Sequence, residues 1–132
     1  MSKPRKIIVL DDDPTGSQTV HSCPLLLRWD RTTLETGLLH PSPLLFLLTN
    51  SRSLTPEEAG RVTREVCREL RAARVEERFV PIYVSRSDST LRGHFPLETD
   101  VMAESLGPFD ALFLTPAFFE GGRITRKGVH YI

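Results

Sequence analysis

Five short apolar runs limit what this chain can fold into more than any other feature. They are Lys6–Leu10, Pro24–Trp29, Leu44–Thr49, Phe79–Val84 and Asp110–Thr115. Each is too short for a buried helix, and none shows the apolar–polar alternation of a strand with one wet face. Bare runs of this length, bounded by turn residues, read as strands covered on both sides, which is the pattern of a parallel sheet.

The segments between them carry helix signals. Thr55-Pro56-Glu57-Glu58 supplies an N-cap, a proline at the first helical position and a glutamate at the third, a capping box. Ala59, Val62, Val66, Leu70 and Ala73 then form one apolar stripe. A second helix is predicted from about Phe95 to Leu106, with Leu97, Val101, Met102 and Leu106 inward and Gly107-Pro108 as its stop. A weaker one covers Arg31–Leu38. Strands alternating with helices require crossover connections. The expected fold is therefore α/β, a three-layer Rossmann-like, mostly parallel sheet with helices on both faces. At 132 residues the whole of 1–132 is one domain at most. The final run, Gly128-Val129-His130-Tyr131-Ile132, reads as a strand or strand start with no closing turn, so the domain is expected to be truncated.

In open parallel sheets ligands bind beyond the carboxyl ends of the strands, and three polar clusters lie there. Asp11-Asp12-Asp13-Pro14-Thr15-Gly16 follows the first run, Thr49-Asn50-Ser51-Arg52-Ser53 the third, and Ser85-Arg86-Ser87-Asp88-Ser89-Thr90-Leu91-Arg92-Gly93 the fourth. In extended chain Asp11 and Asp13 share a face and Asp12 opposes them. Three crowded aspartates repel one another unless cations balance them. Arg86 and Arg92 are planar forks suited to carboxylate or phosphate, and Gly93 permits close backbone approach. Together the clusters describe a site for a polar, anionic or polyhydroxylated small molecule. The Gly121-Gly122-Arg123 turn reads equally as a cationic flap over an anion and as an ordinary loop. Cys67, beside the helix stripe, is expected in the core.

Several classes are disfavoured. Seventeen basic and seventeen acidic residues cancel, leaving no field that would attract nucleic acid or an anionic membrane. Arg61, Arg64, Arg68 and Arg71, interleaved with Glu65 and Glu69, form a solvated helix face. No apolar run approaches a membrane span, the N-terminus lacks a signal-peptide core, and two lone cysteines suggest neither a metal nor a redox pair. A cytoplasmic location is expected. There is no Gly-rich loop ending in Lys-Ser/Thr and no G-x-G-x-x-G fingerprint.

Two families share parts of this pattern. Asp11-x-Asp13-x-Thr15 after a strand, with Thr49-Asn50 ending another, resembles haloacid-dehalogenase-like phosphatases. That resemblance implies Asp11 as nucleophile, Asp13 as general acid/base, Thr49 as phosphate ligand and Lys127 as the later lysine, with Mg²⁺ held partly by a later acidic pair. No acidic residue follows Lys127.

A second resemblance takes in more of the chain. Asp12-Asp13-Pro14-Thr15-Gly16, Thr49-Asn50-Ser51-Arg52, Ser85–Gly93 and Pro116-Ala117-Phe118-Phe119-Glu120-Gly121-Gly122-Arg123-Ile124-Thr125, in this order, resemble the N-terminal domain of the four-carbon acid sugar kinases. It implies ATP-dependent phosphorylation of a tetronate such as threonate or erythronate, with Mg²⁺, this segment holding the sugar and a separate C-terminal domain holding most of the ATP. The residues it assigns to the substrate are Asp12, Asp13, Thr15, Gly16, Arg52, Arg86, Asp88, Ser89, Thr90, Arg92 and Gly93. Arginines would pair the substrate carboxylate, aspartates and serines would take its hydroxyls, and a carboxylate would orient the attacking hydroxyl. No resident metal and no tightly held nucleotide is expected on this segment, which alone is expected to be inactive. Arg86 stands where many members have lysine. A non-catalytic acid-sugar-binding remnant is the remaining expectation.

Overall fold

The computed structural model describes residues 2–132, in which four of the apolar runs contribute strands to one sheet. Strands β1 (Arg5–Asp11), β2 (Leu25–Leu26), β3 (Leu44–Leu48) and β4 (Val80–Arg86) form a parallel sheet in the order β2-β3-β1-β4. Ile8 of β1 sits opposite Leu45 and Tyr83, Leu10 opposite Leu47 and Ser85, and Asp11 opposite Leu48 and Arg86. The mostly parallel α/β sheet is as expected from the sequence. Two strands run further than their apolar residues do. β1 includes Asp11, and β4 includes Ser85 and Arg86, so the ladder itself carries charged side chains to the sheet's carboxyl edge.

The helices are α1 (Arg31–Leu39), α2 (Pro56–Ala72), the single turn α3 (Val75–Arg78) and α4 (Leu97–Leu106). All four contribute to one core cluster, in which Leu34, Leu38, Val66, Cys67, Leu70, Val75, Met102 and Leu106 meet Ile8, Leu10, Leu45 and Leu47. Those strand residues share one parity and hence one face. The reason lies in the strand order. The β2-α1-β3 and β3-α2-α3-β4 connections step in the same direction across the sheet, and right-handed crossovers in one direction place their helices on one side. Only the 12–24 connection steps back. It brings a 3-10 turn, Gly16–Thr19, against Asp11 on the opposite face. The expected layers on two faces are thus unequal, with α-helices on one side and a short turn on the other. Ile82 and Val84, of the thinly covered parity, are 46% and 36% exposed.

Local signals explain the well-formed elements. Thr55 accepts from the Glu58 amide, and the Glu58 carboxylate accepts from the Thr55 amide at 3.0 Å, completing the capping box. Thr55→Ala is expected to cost about 1 kcal/mol in a urea melt. A loss within error would mean that water replaces the cap. Lys6 lies buried, its Nζ donating to the Leu38 and His40 carbonyls at 3.0 and 2.7 Å, which closes the C-terminus of α1. Cys67 is in the core as expected, and burial pushes its thiol up to about 12. Arg61, Arg64, Arg68 and Arg71 stay on the surface.

Two expected strands differ. Of Pro24–Trp29 only Leu25 and Leu26 pair, and Leu27 already turns outward at the sheet edge. Asp110–Thr115 forms no strand. Phe109 leans on the Tyr83 ring, 6.0 Å between centroids, and the chain then leaves the sheet with Leu112, Phe113 and Leu114 exposed. An apolar run becomes a strand only by finding a ladder partner, and this one makes no ladder with β4. The terminal run does pair. β5 (Ile124–Arg126) and β6 (Val129–Tyr131) form a hairpin whose turn residues, Lys127 and Gly128, both have positive φ, 51° and 77°. No helix among the described residues is long and apolar enough to cross a membrane.

Candidate functional site

Backbone hydrogen bonds stitch the carboxyl ends of β1, β3 and β4 together. The Thr49 amide donates to the Asp11 carbonyl at 2.9 Å, the Arg52 amide to the Asp12 carbonyl at 3.1 Å, and the Asp12 amide to the Arg86 carbonyl at 3.2 Å. Asn50, in the left-handed region with φ 52°, turns the chain from β3 into the Ser51–Ser53 turn. Asparagine tolerates that conformation better than most residues. The three polar clusters predicted at separate strand ends therefore form one rim.

At its centre is Asp12, whose side chain is 2% exposed. Arg52 grips it with two bonds, Nη2 to Oδ1 at 2.8 Å and Nε to Oδ2 at 3.2 Å, and Ser87 Oγ donates to Oδ2 at 2.9 Å. Arg52 also reaches Asp13 at 3.5 Å. Gly93 lies against this group. A Cβ there would stand 2.0 Å from Ser87 Oγ and 3.1 Å from Asp12 Oδ2, so no side chain fits without breaking the Ser87 bond.

Asp13 faces outward. Its Oδ1 accepts from the Thr15 amide at 2.9 Å and from the Thr15 hydroxyl at 2.5 Å, an Asx turn whose bonds hold the carboxyl below its usual range. Asp88 anchors the second loop. Arg92 Nε and the Thr90 hydroxyl both donate to its Oδ2, and the Arg92 bond leads in holding the carboxyl far below its usual range. Leu91, between them, adopts φ 63°, which is uncommon for leucine and marks a loop held in place by its surroundings. Ser89 accepts a 2.9 Å hydrogen bond from Arg123 Nη1, 34 residues away, which joins the 116–126 segment to the rim.

Asp11 differs from its neighbours. Its residue is 0% exposed, and neither carboxylate oxygen finds a hydrogen-bond donor among the described residues. Arg86 Nη1, 3.5 Å away, is the nearest cation. Burial dominates and pushes the carboxyl up to about 6, against the pull of Arg86. Gly16 closes over it, since a Cβ there would stand 2.3 Å from Asp11 Oδ2. An enclosed carboxylate of this kind has no path for in-line attack on a phosphate. Lys127, its partner in the phosphatase pattern, sits at the tip of the β5–β6 turn.

A second buried polar group was not singled out from sequence. Glu98, 5% exposed on α4, pairs with Ser51 Oγ. Ser51 Oγ lies 3.0 Å from Thr49 Oγ1, which donates to the Asp11 carbonyl at 3.0 Å, and His94 Nε2 donates to the Ser51 carbonyl at 3.0 Å. Burial raises Glu98 above its usual range. Ser51 Oγ donates to the Glu98 carboxylate and Thr49 Oγ1 to the Asp11 carbonyl, so the run ties α4 to the end of β1. The only sequence signal for Glu98 is its position one helical turn before Met102, on the inward side of α4.

All eleven residues assigned to the substrate by resemblance thus fall on this rim or on the loops that meet there. They form pairs with one another. Arg52, Arg86 and Arg92 each face an aspartate of the protein, and hydroxyls from Thr15, Ser87 and Thr90 donate to Asp13, Asp12 and Asp88. Such an array, polar and rigid, suits a small polyhydroxylated ligand. It does not suit a divalent cation. Among the described residues no group of three or more acidic, histidine or cysteine side chains is placed to hold a metal ion, and the Asp12 oxygens are already committed to Arg52 and Ser87.

A family model described as a sugar-binding N-terminal domain matches residues 7–132. The chain is similar to a D-erythronate kinase of Heliobacterium modesticaldum, 29% identical over 130 residues, covering 92% of this chain and 28% of that protein. It is also similar to a D-threonate kinase of Bordetella bronchiseptica, 36% identical over 133 residues, covering 94% and 31%. A crystal structure of a domain of unknown function from Bordetella bronchiseptica, a domain-swapped dimer with bound citrate, superposes with a TM-score of 0.76 at 31% identity. It covers 97% of this chain and 33% of its own. The chain therefore spans about a third of the length of the relatives it matches.

Proposed function

The chain belongs to the family of sugar-binding N-terminal domains, and from that premise we propose that it holds the acid sugar in an ATP-dependent kinase acting on a four-carbon tetronate such as threonate or erythronate. The observation that carries this reading is the rim at the ends of β1, β3 and β4, where ion-paired aspartates and hydroxyls converge in a chain similar to two tetronate kinases. Half-buried Asp13 and the Asp88–Thr90 loop offer acceptors for a sugar's hydroxyls. The enclosed Asp12–Arg52 pair keeps those loops in one geometry, which lowers the ordering cost of binding.

Phosphoryl transfer in line with a sugar hydroxyl requires the phosphates to be held by groups that these residues do not supply. ATP and Mg²⁺ are therefore assigned to the rest of such a kinase, and the segment alone is proposed to bind without turning over. The kinase reading also explains Ser85–Gly93, which the phosphatase pattern leaves without a role.

Calorimetric titration of D-threonate and D-erythronate into the protein tests this. One of the two acids is expected to bind with one-to-one stoichiometry, and Asp88→Asn is expected to weaken it at least about tenfold, because a charged acceptor in the loop becomes a neutral one. No hydrolysis of p-nitrophenyl phosphate with Mg²⁺ is expected. The reading fails if neither acid binds, or if the protein hydrolyses the ester and loses that activity on Asp11→Asn.

A further inference from the structure

The charge balance of the rim bears on which arginine could meet a substrate's carboxylate. Four aspartates lie at the centre, Asp11, Asp12, Asp13 and Asp88, facing three arginines, Arg52, Arg86 and Arg92. The formal sum is one negative charge, which repels an anion. Each of the three arginines also faces an aspartate. Arg52 is held by both oxygens of Asp12, Arg92 Nε bonds Asp88, and Arg86, whose buried Nη1 has no hydrogen-bond partner among the described residues, lies 3.5 Å from Asp11 and 3.9 Å from Asp12. A ligand carboxylate that drew one of them away would leave the aspartate it faces without its nearest cation, an exchange that gains little.

We propose that Arg123 anchors the carboxylate of the acid sugar, while Arg52, Arg86 and Arg92 hold the aspartates around its hydroxyls. This rests on the acid-sugar reading of the site. Arg123 makes no ion pair among the described residues, and its partner at the rim is the neutral hydroxyl of Ser89, 2.9 Å from Nη1. Four of its five N–H donors have no protein acceptor at the rim, enough for a two-pronged contact with a carboxylate. The Phe118 ring, 5.8 Å from the guanidinium, backs it with an aromatic face.

The backbone fixes where this side chain starts. The Phe118 amide donates to the Arg123 carbonyl at 2.8 Å and the Arg123 amide to the Phe118 carbonyl at 2.9 Å, closing a tight loop over Phe119–Gly122. Gly122 has φ 73°, which favours glycine. Arg123 thus reaches the Asp88–Thr90 loop from outside the sheet. Its charge brings the site to formal neutrality before the ligand arrives. An acid sugar lying between the two would set its carboxylate on Arg123 and its hydroxyls toward Asp88 and Asp13.

The test compares an acid with its uncharged polyol. D-Threonate and D-erythronate, and threitol and erythritol, are titrated into the parent protein, Arg123→Gln and Arg123→Lys. Arg123→Gln is expected to weaken the acid by about 10- to 100-fold and to leave the polyol unchanged, with an unaltered melting temperature without ligand. Arg123→Lys is expected to recover part of the loss, because the charge is kept and the fork is not. The inference is overturned if Arg123→Gln binds the acid as the parent does, if it loses acid and polyol by the same factor, or if lysine recovers nothing. A parent protein that binds neither acid overturns the acid-sugar reading and the anchor together. Parent binding with an unaffected glutamine variant overturns the anchor alone.

Discussion

Asp12→Ala is expected to destabilise the protein by about 3 kcal/mol, the largest effect of any single substitution at the rim. The side chain is 2% exposed, and three donors depend on it, two from Arg52 and one from Ser87. Truncation removes the anion and leaves its partners. The Arg52 side chain is only 20% exposed, so its guanidinium cannot recover full hydration without unseating the Ser51–Ser53 turn, whose Arg52 amide is bonded to the Asp12 carbonyl. Removing one member of such a pair costs more than removing both, because the loss is dominated by the stranded charge. Asp12→Ala with Arg52→Leu is therefore expected to be more stable than Asp12→Ala alone. Urea midpoints at constant m-value measure this. A single-variant loss below about 1 kcal/mol, typical of exposed pairs, would mean that the Asp12–Arg52 pair is solvated and does not organise the rim.

The parts of this site that are legible in sequence are those set by neighbours along the chain. β1, β3 and β4 follow from runs with no polar face, and the cap of α2 follows from Thr55 and Glu58, three residues apart. The placement of polar clusters at carboxyl ends follows from strand direction, which crossovers force to be parallel. Pairings across the fold are not legible in this way. Arg52 meets Asp12 across 40 residues, Ser51 meets Glu98 across 47, and Arg123 meets Ser89 across 34. No local pattern distinguishes an arginine that awaits a ligand from one that neutralises an aspartate. Asp110–Thr115 shows the same limit for the fold, since its apolar composition indicates burial while its pairing depends on an edge that the chain leaves open. Asp11 shows it for charge. Three aspartates in a row look alike until the fold encloses the first, grips the second and turns the third outward, half-buried.

That burial has a consequence measurable as stability against pH. Asp11 titrates at about 6 in the folded protein, against 3.8 for an ordinary aspartate in the unfolded chain. Between these values the folded state binds more protons than the unfolded state, so stability falls as pH rises. The contribution is fully present below the unfolded value and is lost through the folded one. The charged groups facing Asp11 are Arg86 on β4, which opposes the shift, and Asp12 and Asp13, which add to it. Asp13 and Asp88 are held below their usual range, so their own losses come on acidification and lie below about pH 4. Glu98 is shifted in the same sense as Asp11 and is common to both proteins compared. The difference in unfolding free energy between wild type and Asp11→Asn is therefore expected to move by about 2 kcal/mol between roughly pH 4.5 and 7.5, against the wild type at the higher pH. Parallel profiles would show that Arg86 keeps Asp11 ionised throughout. With the expected profile, the rim at neutral pH contains a carboxylate that the fold would be more stable without. Arg86, 3.5 Å away, is the cation nearest to it.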